Sequence, residues 1–137
     1  MSPPLVGGCN CGAVRFEITK PLFGARYCHC TRCQRRTGTA ASANAAVQPG
    51  SFHILRGEDA LKAWIPPDGH EKWFCGECGS AIFTRDPNDH SKLGVRLGAI
   101  DADPGIRPSF RQFVAYAAPW EEIPDDGLPH HRERPPA

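Results

Sequence analysis

Apolar and polar residues alternate with a period of two in several short stretches of the chain. Val14, Phe16 and Ile18 fall on one side, with Arg15 and Glu17 on the other. Phe52 and Ile54 repeat the pattern against His53, and Val95 and Leu97 repeat it against Arg96. The segment 73–83 has the same character but is interrupted by a turn between Cys75 and Cys78, and Phe113 and Tyr116 lie in a last apolar run. Successive side chains of a strand point to opposite faces, so the pattern predicts half-buried strands of about 5–6 residues. No window of about a dozen residues keeps a 3.6-residue apolar repeat, which excludes long helices. One short helix is expected over 31–36, directly after Cys30. The run 40–47 has helical propensity from its alanines, but Ser42, Asn44 and the flanking Gly38 and Pro49-Gly50 favour a buried strand. The expected fold class is mainly β, in a single domain.

Composition adds punctuation to this picture. The 137 residues include 14 Gly and 14 Pro, spread between the predicted strands. From Pro119 onward prolines recur, so an irregular segment is expected there. Trp120, Ile123 and Leu128 are expected to pin it to the body, with 130–137 a disordered tail. Lys and Arg number 16 and Asp and Glu 15, a balance that gives no reason to expect nucleic acid or an anionic membrane as partner. No stretch approaches the ~20 apolar residues that cross a bilayer. Residues 1–6 lack the basic region and apolar core of a secretion signal, so a reducing cytoplasm is the expected compartment.

The seven cysteines change the picture most. An odd count argues against a complete disulfide framework, and in a reducing compartment clustered cysteines are more often metal ligands or catalytic groups. They fall in three groups: Cys9-Asn10-Cys11, Cys28-His29-Cys30-Thr31-Arg32-Cys33, and Cys75-Gly76-Glu77-Cys78. Cysteines separated by one or two residues can hold one Zn²⁺ if the backbone turns tightly, and Gly12 and Gly79 stand where such turns need them. The C-x-C and C-x-x-C half-sites can therefore close one four-thiolate cage. The middle group offers three thiolates, which leaves a tetrahedral position open, as in catalytic zinc sites. The fourth ligand there would be water, a substrate thiol or His29; His29 lies between two ligands, so its ring is expected to point away. Spacing also permits Cys28 and Cys33 to pair with another knuckle in a single cage.

Arg32, Arg35 and Arg36 flank Cys33. Cations there would stabilise thiolates and could bind the carboxylates of an anionic ligand, although a charge run can equally face solvent. His53, His70 and His90 show no ligand spacing, Trp64, Trp73 and Phe74 read as core or sheet-edge packing, and Asp101 and Asp103 before Pro104-Gly105 read as turn chemistry.

The runs GGCNCGAVRFEI, CHCTRCQRRTG and WFCGECGSAIF, with the closing stretch VRLGAIDADPGIRPSFRQFVAYAAPWEEIPDDGLP, resemble the glutathione-dependent formaldehyde-activating family, which includes centromere protein V-like domains. The resemblance covers residues 5–129. It departs at Arg111, where a histidine is common in the family. It implies a Mss4-like fold, with β-sheets clamped by zinc. It also implies two zinc ions per chain: a structural one on Cys9, Cys11, Cys75 and Cys78, and a catalytic one on Cys28, Cys30 and Cys33. The implied activity is that of a carbon–sulfur lyase, joining glutathione or a related thiol to formaldehyde or a similar aldehyde, as in S-(hydroxymethyl)glutathione synthesis. The implied partners are then a small-molecule thiol and an aldehyde. The alternative is a non-catalytic zinc-stabilised binding or scaffold module, which would have no need of an open coordination position.

Overall fold

The computed structural model describes residues 3–136. Strands β1 (Leu5–Gly8), β2 (Arg15–Ile18) and β5 (Phe52–Arg56) form an antiparallel sheet in the order β1-β2-β5. A second sheet of seven strands runs β10 (Arg111–Gln112), β3 (Phe23–Cys28), β4 (Ser42–Val47), β9 (Asp89–Arg96), β8 (Ala81–Asp86), β7 (Glu71–Cys75) and β6 (Leu61–Trp64). All its neighbours are antiparallel except β10, which lies parallel to β3. The one α-helix among the described residues, α1 (Thr31–Thr37), follows β3 after two residues. No helix among them is long and apolar enough to cross a membrane.

The alternation at 14–18 is realised as read: Val14, Phe16 and Ile18 are fully buried, and Arg15 and Glu17 are not. They pack with Ala45, Ile82 and Val95 from the larger sheet in one core. A chain of aromatic contacts crosses it. Phe16 meets Phe52 at 5.1 Å between ring centroids, Phe52 meets Phe83 at 5.0 Å, and Phe83 stacks on Trp73 at 5.8 Å. The 40–47 run is a strand, as its turn-forming flanks imply.

Three expectations are corrected. Phe113 and Tyr116 do not belong to a strand: Val114–Tyr116 is a 3₁₀ turn, entered from Phe113 in the left-handed region at φ 58°. Trp120 is 66% exposed and pins nothing. The segment is held by the ion pair of Arg111 with Asp126 at 2.8 Å and by half-buried Ile123 and Leu128. The tail expected to be disordered from His130 is tied down at its start, because the free edge of β10 satisfies its backbone. Arg111 N–H donates to Pro129 O, His131 N–H to Arg111 O, and Phe113 N–H to Glu133 O.

Strands β1, β3, β6 and β10 were not read from the pattern. In β3 the burial is irregular, with a register shift between Phe23 and Arg26. One face of this part of the sheet borders an open cavity, so Arg26 occupies a position that a core-facing strand would fill with an apolar residue.

Candidate functional site

Each knuckle is built at the end of a strand. Cys9 follows β1, and its turn is closed by Gly12 N–H donating to Cys9 O and by Val14 N–H donating to Cys9 Sγ at 3.3 Å. Cys75 ends β7, and Gly79 N–H donates to Cys75 O. Gly12 and Gly79 both sit at φ 80°, the left-handed conformation these turns require and L side chains resist. Ser80 binds the two turns together: its Oγ accepts from Asn10 N–H at 3.1 Å and lies 3.2 Å from Cys78 Sγ. The result gathers Cys9, Cys11, Cys75 and Cys78 with all four sulfurs within 4.8 Å of one another.

The donor set fits a tetrahedral metal. Ligand bonds of 2.3 Å imply sulfur–sulfur edges of about 3.8 Å. Cys9 and Cys11 stand 3.6 Å apart and Cys11 and Cys75 3.8 Å, and all seven cysteines are free of disulfides. The Ser80 hydroxyl and backbone donors hold the Cys78 thiol low, at about 5. Because β1 and β7 belong to different sheets, this cluster ties the sheets together at one end.

The second cluster is local. Cys28 is the last residue of β3, Cys30 is the N-cap of α1, and Cys33 lies in its first turn. Cys30 Sγ accepts from Cys33 N–H at 3.3 Å, so the thiol takes the place of a capping hydroxyl. Gln34 Nε2 donates to His29 O at 2.7 Å and to Tyr116 O at 2.8 Å, pinning the helix to the loop before it. The three sulfurs lie within 4.8 Å of one another, and among the described residues no fourth Cys, His, Asp or Glu joins them. Donation from the Cys28 and Cys30 thiols pushes Cys33 far down, to about 2, while hydrogen bonding with Cys30 and Cys33 drives Cys28 up. Three sulfurs crowded this closely are a donor set suited to a thiophilic cation.

His29 turns away from the sulfurs, as its place between two of them requires. It is buried, and Arg111 Nη1 lies 3.2 Å from its Nε2. Arg111 can only donate, so Nε2 accepts and the ring is neutral with its proton on Nδ1. Burial and then the Arg111 charge lower the His29 pKa, in agreement. Arg111 thereby links this loop to Asp126.

The Cys28, Cys30 and Cys33 cluster opens on a cavity of about 980 Å³. Its floor is one face of the larger sheet, and the register explains its composition. Cys28 pairs with Ser42; Arg26 pairs with Asn44, which pairs with Arg96; Ala46 pairs with Gly94, which pairs with Thr84, and Thr84 with Lys72. Phe23, Val47, Phe113 and Tyr116 supply apolar wall.

Residues 4–116 match the family model described as glutathione-dependent formaldehyde-activating enzyme. The chain belongs to this family. A Halomonas elongata protein, provisionally named a glutathione-dependent formaldehyde-activating enzyme, is 29% identical over 128 residues, covering 87% of this chain and 80% of its own. A Sordaria macrospora protein with the same provisional name is 20% identical over 98 residues, 67% of this chain and 41% of its own. A crystal structure of a Rhodobacter sphaeroides protein superposes with a TM-score of 0.59 at 26% identity, covering 75% of this chain and 91% of that one.

Within this family framework the arginines beside Cys33 divide. Arg32 reaches the cavity but donates to the Asp68 carboxylate and to Asp68 O, both at 2.6 Å, and lies 5.5 Å from the Trp64 ring. Arg35 is exposed and Arg36 half-buried, and neither lines the cavity. The cations that do line it are Arg26, Lys72, Lys92, Arg96 and Arg134, with His70 among them. Arg26 carried a readable signal, standing two residues before Cys28 on a strand. The others come from distant segments and carried none.

Proposed function

We propose that this chain joins a small-molecule thiol to an aldehyde such as formaldehyde, at a zinc ion held by Cys28, Cys30 and Cys33. A second zinc ion, held by Cys9, Cys11, Cys75 and Cys78, maintains the fold. The observation that carries the reading is a three-sulfur cluster, without a fourth protein ligand, opening on a ligand-sized cavity in a member of this family. A structural module would leave no coordination position for a small molecule.

When bound, zinc supplies the positive charge that lets a substrate sulfur lose its proton near neutral pH and polarises the aldehyde. In the reaction a carbon–sulfur bond forms, the carbonyl π bond opens, and the thiol proton ends on the new hydroxyl. The residues of the cavity position and gate this exchange. Arg26 and Arg96 flank Asn44, whose Oδ1 accepts from Arg96 Nη1 at 2.8 Å, so the row has fixed geometry. Phe23, Val47 and Phe113 give the wall an apolar stretch for the carbon skeleton of the substrates. His70 is half-buried, and burial followed by the charge of Lys72 lowers its pKa. Its imidazole is then neutral at pH 7 and able to take the thiol proton.

The test is exchange between free formaldehyde and its glutathione adduct, followed by NMR with zinc-loaded protein. Acceleration over the protein-free rate, lost in Cys30→Ser, is the expected result. An unchanged exchange rate at substrate-saturating concentrations overturns the reading.

A further inference from the structure

The charge on the cavity wall is one-sided. Arg26, Lys72, Lys92, Arg96 and Arg134 line it, and none of them makes an ion pair among the described residues. The one acidic residue on the wall is Asp68, and its carboxylate is engaged by Arg32 at 2.6 Å. The inner cations are already committed to neutral acceptors rather than anions: Arg26 Nη1 donates to Gly24 O at 2.9 Å, Lys72 Nζ to His70 O at 2.7 Å, and Arg96 Nη1 to Asn44 Oδ1 at 2.8 Å. Such donors retain further N–H groups for a ligand. Three thiolates on one divalent metal would leave a single negative charge, which does not balance five cations.

Glutathione matches this wall incompletely. Its two carboxylates would meet the cations, but its α-ammonium would find no free carboxylate. Bringing it among Arg26, Lys72 and Arg96 would add like charge to a partly desolvated site. The floor between those cations is built from the small residues Ala46 and Gly94, so no long side chain rises between them. It therefore has room for anionic groups laid along the sheet.

Resting on the thiol–aldehyde reading of this site, we infer that the preferred thiol is a polyanion without an ammonium group. Two or more carboxylate, sulfonate or phosphate groups would lie on the row made by Arg26, Asn44, Arg96 and Lys72. The substrate class is thus a more acidic thiol than glutathione itself.

The experiment compares glutathione with its N-acetyl derivative, which keeps the scaffold and both carboxylates and removes only the ammonium charge. Binding to the zinc-loaded full chain is read by titration calorimetry, and adduct formation with formaldehyde is read separately by NMR. The N-acetyl derivative should bind about ten-fold tighter. That advantage should shrink as salt is raised and vanish in Arg26→Met and in Lys72→Met, two variants whose folding is checked by melting. Equal or weaker binding of the N-acetyl derivative, or no binding of either thiol, overturns the inference. If glutathione is turned over without the charge preference, only the substrate class is lost. If the preference holds but no adduct forms, only the reaction is lost.

Discussion

Cys11 Sγ lies 3.8 Å from Cys75 Sγ, 64 residues further along the chain and in the other sheet's territory. A metal there closes a long loop, whereas Cys28, Cys30 and Cys33 close almost none. Structural zinc contributes on the order of 10 kcal/mol to small zinc domains, comparable to the ~5–15 kcal/mol net stability of a domain. Cys78→Ser should therefore unfold or aggregate. Cys30→Ser should stay folded, keep one zinc and lose thiol–aldehyde activity. Thermal melting with zinc analysis on both variants checks this, and the opposite pattern would exchange the two assignments.

If the neutral His70 on the cavity wall takes the thiol proton, it sets a pH profile. Its pKa lies below the ordinary ~6.5, so the catalysed rate should hold at neutral pH and fall only as the pH drops below about 6.5. His70→Gln should lower the neutral-pH rate by about a hundred-fold and remove that acid limb. A variant with the wild-type profile would take His70 out of the proton path. Melting and zinc content should be unchanged.

Glu71 is buried and accepts from Trp73 Nε1 at 3.0 Å and Arg85 Nε at 2.7 Å. Burial raises its carboxyl, but those donors outweigh it and hold it below the ordinary value. A carboxylate whose folded pKa is depressed stabilises the fold above its unfolded value, about 4.5, and the contribution is lost as pH falls through the folded value. Glu71→Gln should cost about 1–3 kcal/mol at pH 7. The difference from wild type should disappear on acidification. Denaturant melts across that range measure both.

Phe83 carries the aromatic chain between the sheets, touching Phe52 and Trp73 while 7% exposed. Phe83→Ala should destabilise the protein by about 3–5 kcal/mol through the cavity it leaves. Trp120→Ala, at a 66% exposed ring, should change stability by no more than about 0.5 kcal/mol. Chemical denaturation of both variants compares a buried aromatic with an exposed one.

Much of this protein is local and therefore readable in its sequence. The alternation of Val14, Phe16 and Ile18 follows from the pleat of one strand, the helix after Cys30 begins where a capping sulfur stands, and each cysteine knuckle is a turn of a few residues with Gly12 or Gly79 at its close. The family match, too, spans all three knuckles. What needed the tertiary structure is whatever depends on register between distant strands. Arg26, Asn44 and Arg96 form one row only because β3, β4 and β9 are neighbours in that alignment, and Lys72 joins the same floor through β7 and β8. Nearness in sequence pointed instead to Arg35 and Arg36, which the short helix carries away from the cavity wall. Trp120 gave the same lesson on the surface: a large apolar residue signals burial only if the chain brings a surface to cover it, and among the described residues none covers Trp120. Pairing between strands far apart in sequence is decided by the summed burial of two sheets, a quantity no short window of residues contains.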